Sequence, residues 1–174
     1  ARLTVGEYLD SWLEDVVLHR NRRRTFESYR TIVNHHLKLH IGGIPLHTLE
    51  AMHIQRMLGA IRRMNRSEST LQRIFTVLRK ALTDAERTGL VSKLATRKVE
   101  PPRPAKYKVD LPDLEAFKSV IELARRNSRG AVMEFMAHTG LRRGEALALK
   151  WSEIDIDKSR AQILKSAQRV RGGG

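Results

Sequence analysis

A mainly α fold is predicted: a four-helix domain, followed by an α+β segment whose helices lead into a first β-hairpin. Three observations point to it. Apolar residues recur at helical spacing through four successive stretches, the prolines at 101, 102 and 104 break that pattern, and from Trp151 the period shifts from helical to alternating. The division read from these signals is a helical domain over residues 1–98, a linker over 99–109 and an incomplete second domain over 110–174.

In the first stretch Val5, Tyr8, Leu9, Trp12, Leu13, Val16 and Val17 share one face and Glu7, Asp10, Glu14 and Asp15 the other, so a helix begins near Thr4. The run Arg20-Asn21-Arg22-Arg23-Arg24 leads to Thr25, read as the N-cap of a second helix with Phe26, Tyr29, Val33, His36 and Leu37 on one face. Gly42, Gly43 and Pro45 interrupt, and Ile54, Met57, Leu58 and Ile61 mark a third helix carrying Arg56, Arg62 and Arg63. Ser67 or Ser69 caps a fourth, with Leu71, Ile74, Phe75, Leu78 and Leu82 inward, Arg73, Lys80 and Arg87 outward and Gly89 as its stop.

The prolines, with Arg103, Lys106 and Lys108, give the linker an extended, charged character. Beyond it Leu114, Phe117, Ile121 and Ala124 mark one helix, Val132, Phe135 and Met136 another ending at Gly140, and Ala146 and Leu149 a short third. Ile154 and Ile156, then Ala161 and Ile163, alternate with polar residues around an Asp157-Lys158-Ser159 turn, the pattern of a hairpin. A lone hairpin is seldom stable, so the second domain is expected to be incomplete, cut short at Gly174.

Thirty-three Lys and Arg against nineteen Asp and Glu leave a net charge of +14 and a pI near 10.9. Nineteen basic and ten acidic residues precede Pro104 and fourteen and nine follow it, so both parts are cationic and suit a polyanion, nucleic acid first. No apolar run approaches the roughly 18 residues of a membrane span and the N-terminus lacks a signal-peptide pattern, which predicts a soluble intracellular protein. The absence of cysteine removes disulfides and thiolate metal sites. Seven histidines, among them His35, His36, His40, His47 and His53, lack carboxylates at ligand spacing and read as surface or core imidazoles, with no metal.

The most informative stretch is Thr139-Gly140-Leu141-Arg142-Arg143-Gly144-Glu145, followed by the apolar Ala146 to Leu149, then Trp151 and the Ile- and Asp-rich Ile154-Asp155-Ile156. It resembles the first arginine motif of the tyrosine recombinases of the phage integrase type. Thr25 and Tyr29 in the second helix, and the linker, fit the same family, and the likeness runs from Leu3 to about Arg171. The resemblance implies a SAM-like core-binding domain ahead of a catalytic domain, and Arg142 as the catalytic arginine that binds non-bridging oxygens of the scissile phosphate. A planar fork of donors stabilises charge building on equatorial oxygens better than an ammonium does. Glu145, one turn on, is implied as its support, and Arg143 falls at a variable position.

The family also implies a tyrosine nucleophile that forms a 3′-phosphotyrosyl bond with no metal and no cofactor. Tyr8, Tyr29 and Tyr107 do not match its position, and the later His-x-x-Arg box is not found. Lys165, within the expected second strand, reads as a solvated or phosphate-facing side chain, with the catalytic lysine expected beyond Gly174. The 174 residues are thus expected not to cleave DNA alone. Implied for the parent protein are double-stranded DNA of core-type sites, a homo-tetramer in the synaptic complex, and a cytoplasmic, nucleoid-associated location in a bacterium or phage-infected host.

Candidate DNA contacts are Arg22, Arg23, Arg24 and Thr25 at one helix start, Arg66, Thr70, Arg73 and Lys80 around another, and Arg103 and Lys106 in the linker. A solvated charged face is the competing reading of each. The rival functions are an architectural DNA-binding protein sharing the helical domain and a basic RNA-binding protein. Neither accounts for the order of Arg142, Glu145 and Trp151, and aromatics, at 5%, are few for RNA stacking.

Overall fold

In a computed structural model of the chain, described for residues 3–105 and 109–167, backbone contacts divide the protein into two units, residues 1–107 and 108–174. Helix α1 covers residues 5–20. Thr4 caps it in a closed box: the Glu7 N–H donates to Thr4 Oγ1 (3.2 Å) while the Thr4 N–H donates to Glu7 Oε2 (2.8 Å). Helix α2 covers residues 23–41. Each helix contains one wide π turn, Leu13–Val17 in α1 and Val33–Leu37 in α2. Buried positions there run four apart, at 13 and 17 and at 33, 37 and 41, wider than the 3.6-residue period; a wide turn keeps them in line.

Asn21 closes α1 by donating its side-chain amide to the Val17 carbonyl (3.2 Å), and the backbone is extended at Asn21 and Arg22. Arg22 is therefore the N-cap of α2, and Thr25 sits inside its first turn, donating its N–H to the Arg22 carbonyl (2.8 Å). The expected Thr25 cap is corrected by three residues, because the short α1–α2 connection leaves no room for a longer loop.

Helices α3 (Ala51–Arg63) and α4 (Glu68–Arg87) complete the first unit. Of the two expected caps for α4 it is Ser67, whose Oγ accepts from the Thr70 N–H (3.3 Å). Gly89, at φ +76°, ends α4 in a Schellman turn, with the Leu90 N–H on the Ala85 carbonyl (2.9 Å) and the Gly89 N–H on Glu86 (3.0 Å). α4 is the central element, burying Leu71, Ile74, Phe75, Val77, Leu78, Ala81, Leu82 and Ala85. α1 meets it through two polar ties as well: the Tyr8 hydroxyl donates to the Ala81 carbonyl (2.6 Å) and Trp12 Nε1 to Asp84 Oδ2 (2.8 Å). A 3₁₀ turn, Ala95–Lys98, follows, and Leu94, Thr96 and Val99 are buried with Val99 in the same core. Val99 thus packs in the core of the helical unit, and Pro102 is buried, within the stretch expected as linker from residue 99.

In the second unit Asp113 caps α5 (Leu114–Arg125), its carboxylate accepting from the Ala116 N–H (2.7 Å). α6 (Gly130–Thr139) is joined to α5 by an Arg125–Glu134 ion pair. A Cβ on Gly130 would fall 1.8 Å from the Ala124 carbonyl oxygen, so only glycine permits this tight α5–α6 turn. Gly140, at φ +69°, stops α6, and α7 (Arg143–Ala148) starts three residues later. A 3₁₀ turn, Trp151–Glu153, leads to the antiparallel pair β1 (Ile154–Asp155) and β2 (Arg160–Ala161), with Ile154 opposite Ala161 and Asp155 opposite Arg160. The hairpin is as expected but two residues long on each side, and Ile156 and Ile163 do not turn into a core. Among the described residues of this unit only Ala124 and Gly130 are buried, whereas Leu114, Leu123 and Trp151 stand exposed.

Candidate nucleic-acid interface and phosphate site

On the first unit the expected DNA contacts gather along α2 and α4. Arg22, Arg23 and Arg24 are exposed around the start of α2, with Thr25 partly covered. Arg23 and Arg24 lie in the first turn, where the helix dipole is positive and a cation is unfavourable by about 0.3–1 kcal/mol unless an anion is near. Three side chains of α4 meet α2 in sequence. Lys80 Nζ lies 5.4 Å from the centre of the Tyr29 ring, which itself stacks on Trp12 (5.9 Å, 10° between planes). Arg73 donates to Ser28 Oγ, and Thr70 shares an open groove with Arg73, Ser28, Thr31 and His36.

Ser28, Thr31, His36 and Ser69 also line this groove; of these the sequence named His36 as a helix-face or surface imidazole and Ser69 as a possible cap, and none as a DNA contact. The spacing of Ser28 and Thr31, three apart beside a run of arginines, is the signal that was available. His36 is held below its ordinary value of 6.5, first by partial burial and then by the nearby Arg66 cation and its neighbours His35 and His40. Arg66 is exposed just before α4 and so joins the same face through His36. Arg103 lines a different groove, with Arg62 and with Glu68 at the start of α4, and pairs with the exposed Glu100 (3.2 Å). Lys106 lies outside the described residues. Of the other histidines, His53 accepts the Glu50 N–H on Nδ1 (3.1 Å) and helps start α3.

On the second unit Arg142 is the extended residue ahead of α7, and its side chain is 87% exposed. One carboxylate holds both ends of this residue: Glu145 Oε2 accepts the Arg142 N–H (2.9 Å) and Oε1 accepts from Nη1 (3.1 Å). Glu145 is kept below the ordinary carboxylate value by that backbone N–H first and the guanidinium second. The arginine is thereby oriented while its remaining donors face solvent, the arrangement a planar oxyanion needs. The segment after β2 returns to this turn. Gln162 donates its N–H to the Glu153 carbonyl (2.9 Å), and Ala167 donates to the Gly144 carbonyl (2.7 Å). Lys165 is therefore on an irregular segment beyond β2 rather than within it, exposed, two residues from a contact with the arginine turn.

Comparison with known proteins fits these two units. The family "Phage integrase, N-terminal SAM-like domain" matches residues 4–60. A solved phage integrase SAM-like domain from Moorella thermoacetica is 32% identical, with 61% of this chain and 92% of that one covered and a TM-score of 0.52. The chain belongs to the tyrosine recombinase, or phage integrase, family. A "Tyrosine recombinase XerC-like" protein of Caldanaerobacter subterraneus subsp. tengcongensis is 24% identical over 97% of this chain, and this chain spans 45% of its length. The Tn1549 transposon integrase, solved in complex with circular intermediate DNA, has the same fold over 98% of this chain and 57% of its own, with a TM-score of 0.83 at 13% identity. Among the described residues no helix is long and apolar enough to cross a membrane.

Proposed function

We propose that this chain is the DNA-gripping and phosphate-activating part of a recombinase that performs site-specific strand exchange on double-stranded DNA. The observation that carries the reading is Arg142, an exposed guanidinium fixed at its backbone and its fork by the single carboxylate of Glu145. Displacement at phosphorus puts charge on two equatorial oxygens, and a pre-oriented fork meets it without reorganising. Lys165, on the segment joined to Gly144, is assigned as a second cation for the same phosphate, the phosphate-facing one of the two roles its sequence context left open, in place of a lysine beyond Gly174. The α2–α4 face, with Arg22, Arg23, Arg24, Thr70, Arg73 and Lys80, grips the duplex backbone. Arg103 and Lys106 are kept as linker contacts. Site recognition at core-type sequences, a homo-tetrameric synapse and a cytoplasmic, nucleoid-associated location complete the reading.

The tyrosines support a division of labour in which the nucleophile lies elsewhere in the recombinase. The Tyr8 hydroxyl is committed to the Ala81 carbonyl in the core and Tyr29 is stacked between Trp12 and Lys80. Tyr107 lies outside the described residues. The test is fluorescence anisotropy with a DNA duplex, together with covalent capture on a nicked suicide substrate. Binding that weakens steeply with salt and yields no protein–DNA adduct is expected; an adduct, or no binding at low salt, overturns the assignment.

A further inference from the structure

Gly144 lies in the first turn of α7, two residues past Arg142, and its backbone is where the segment after β2 docks. The Ala167 N–H donates to the Gly144 carbonyl at 2.7 Å, and a Cβ on Gly144 would stand 2.5 Å from Ser166 Oγ and 2.7 Å from the Ala167 carbonyl oxygen. Both distances are shorter than any real Cβ contact, and one of the obstructing atoms is backbone, which cannot rotate away. Gly144 adopts no left-handed conformation, so the requirement for glycine here is one of space alone. Lys165 immediately precedes the two residues that fill this space.

We propose that Gly144 is a positioning residue: the missing Cβ lets residues 162–167 seat on the arginine turn, which holds the Lys165 ammonium and the Arg142 guanidinium on one phosphate. The proposal rests on the reading of Arg142 and Lys165 as phosphate ligands. Among the described residues, the Gln162 bond to Glu153 and the Ala167 bond to Gly144 are this segment's backbone ties. Losing the seat frees the chain around Lys165, and a displacement of about 1 Å at a reacting centre is enough to change rates by roughly 100-fold.

The test uses the full chain with two readouts, amide hydrogen exchange and lysine acylation with and without a random-sequence DNA duplex. Gly144→Ala is expected to speed exchange of the Ala167 amide by roughly tenfold while the rate at the Leu149 amide, bonded to the Glu145 carbonyl, is unchanged. The duplex is expected to shield Lys165 and Lys80 in the unmodified chain, and only Lys80 in the variant. Ala167→Pro, which removes the donor and leaves Gly144 untouched, is expected to give the same loss at Lys165. Ala167 exchange that is unchanged by Gly144→Ala, or Lys165 shielding kept in both variants, overturns the proposal. Lys165 labelling that is indifferent to the duplex in the unmodified chain overturns it differently, by removing Lys165 from the phosphate, with the exchange result still reporting whether the seat exists.

Discussion

At the level of single residues, Arg142 and Glu145 are coupled through two hydrogen bonds, and that coupling has consequences in both directions. Glu145→Gln keeps the shape and removes the charge, so the Arg142 side chain is expected to lose its fixed orientation, measurable as faster motion of the Nε–H in NMR relaxation. Arg142→Lys, in a recombinase containing this chain, is expected to lower strand cleavage by roughly 100-fold or more, because an ammonium cannot span two oxygens. His36 gives a pH-dependent test. Its pKa in the free protein is below 6.5, so folding favours the neutral ring, and the stability this contributes is present above 6.5 and lost as pH falls through the lowered value. On the proposed binding mode a phosphate in the groove raises that pKa again, so DNA binding is expected to take up a proton and to strengthen on acidification below pH 6.5. His36→Gln is expected to flatten that dependence in anisotropy titrations. Arg142 and Glu145 were legible in the sequence because their relation is local, three residues apart on one turn. The seat of Ala167 on Gly144 was not, since that contact spans a hairpin and no pattern within a short window encodes it.

Among the elements, α2 and α4 carry the proposed interface, and their antiparallel run sets Tyr29 against Lys80, Ser28 against Arg73, and His36 near Thr70. The two cations on α4 are held differently. Arg73 is tied to a hydroxyl that a phosphate oxygen can replace, whereas Lys80 rests on an aromatic face that itself packs against Trp12. Arg73→Ala is expected to weaken duplex binding and to lower the slope of log affinity against log salt by about 1, with little effect on stability. Lys80→Ala is expected to lower the salt slope similarly, and also to alter Tyr29 fluorescence. The four helices of this unit were readable from apolar spacing, since each buries one stripe. The start of α2 was misplaced because Thr25 is a good cap by type, while the actual turn is set by Asn21 closing α1 four residues earlier. The π turns had no local signal beyond the spacing of four that they accommodate.

Across the whole molecule, the two units differ in how much they bury. The first has a continuous core in which α4 alone contributes eight buried residues. Leu78→Ala there is expected to cost about 2–5 kcal/mol in urea unfolding, by loss of transfer energy and a cavity. The second buries almost nothing among its described residues, and Phe117, Leu123 and Trp151 remain open to solvent. Hydrogen exchange on the chain is therefore expected to protect α4 strongly and α5 to α7 weakly. The sequence carried the periodicities of both units equally well, which is why the helices of the second were placed correctly; their inward faces were not. Periodicity shows which side of a helix is apolar, but not whether anything in the same chain covers it.

The guanidinium groups at the start of α2 oppose the dipole of the helix they begin. Arginine and alanine have similar helix propensities, so Arg24→Ala removes mainly that opposition and is expected to raise the melting temperature of the DNA-free chain slightly. With duplex present the order reverses, because the unmodified chain gains more from the ligand it binds more tightly. The residues proposed to hold the duplex are thus a standing source of frustration in its absence, and in the proposed complex a DNA phosphate takes the place of the side-chain cap that α2 lacks.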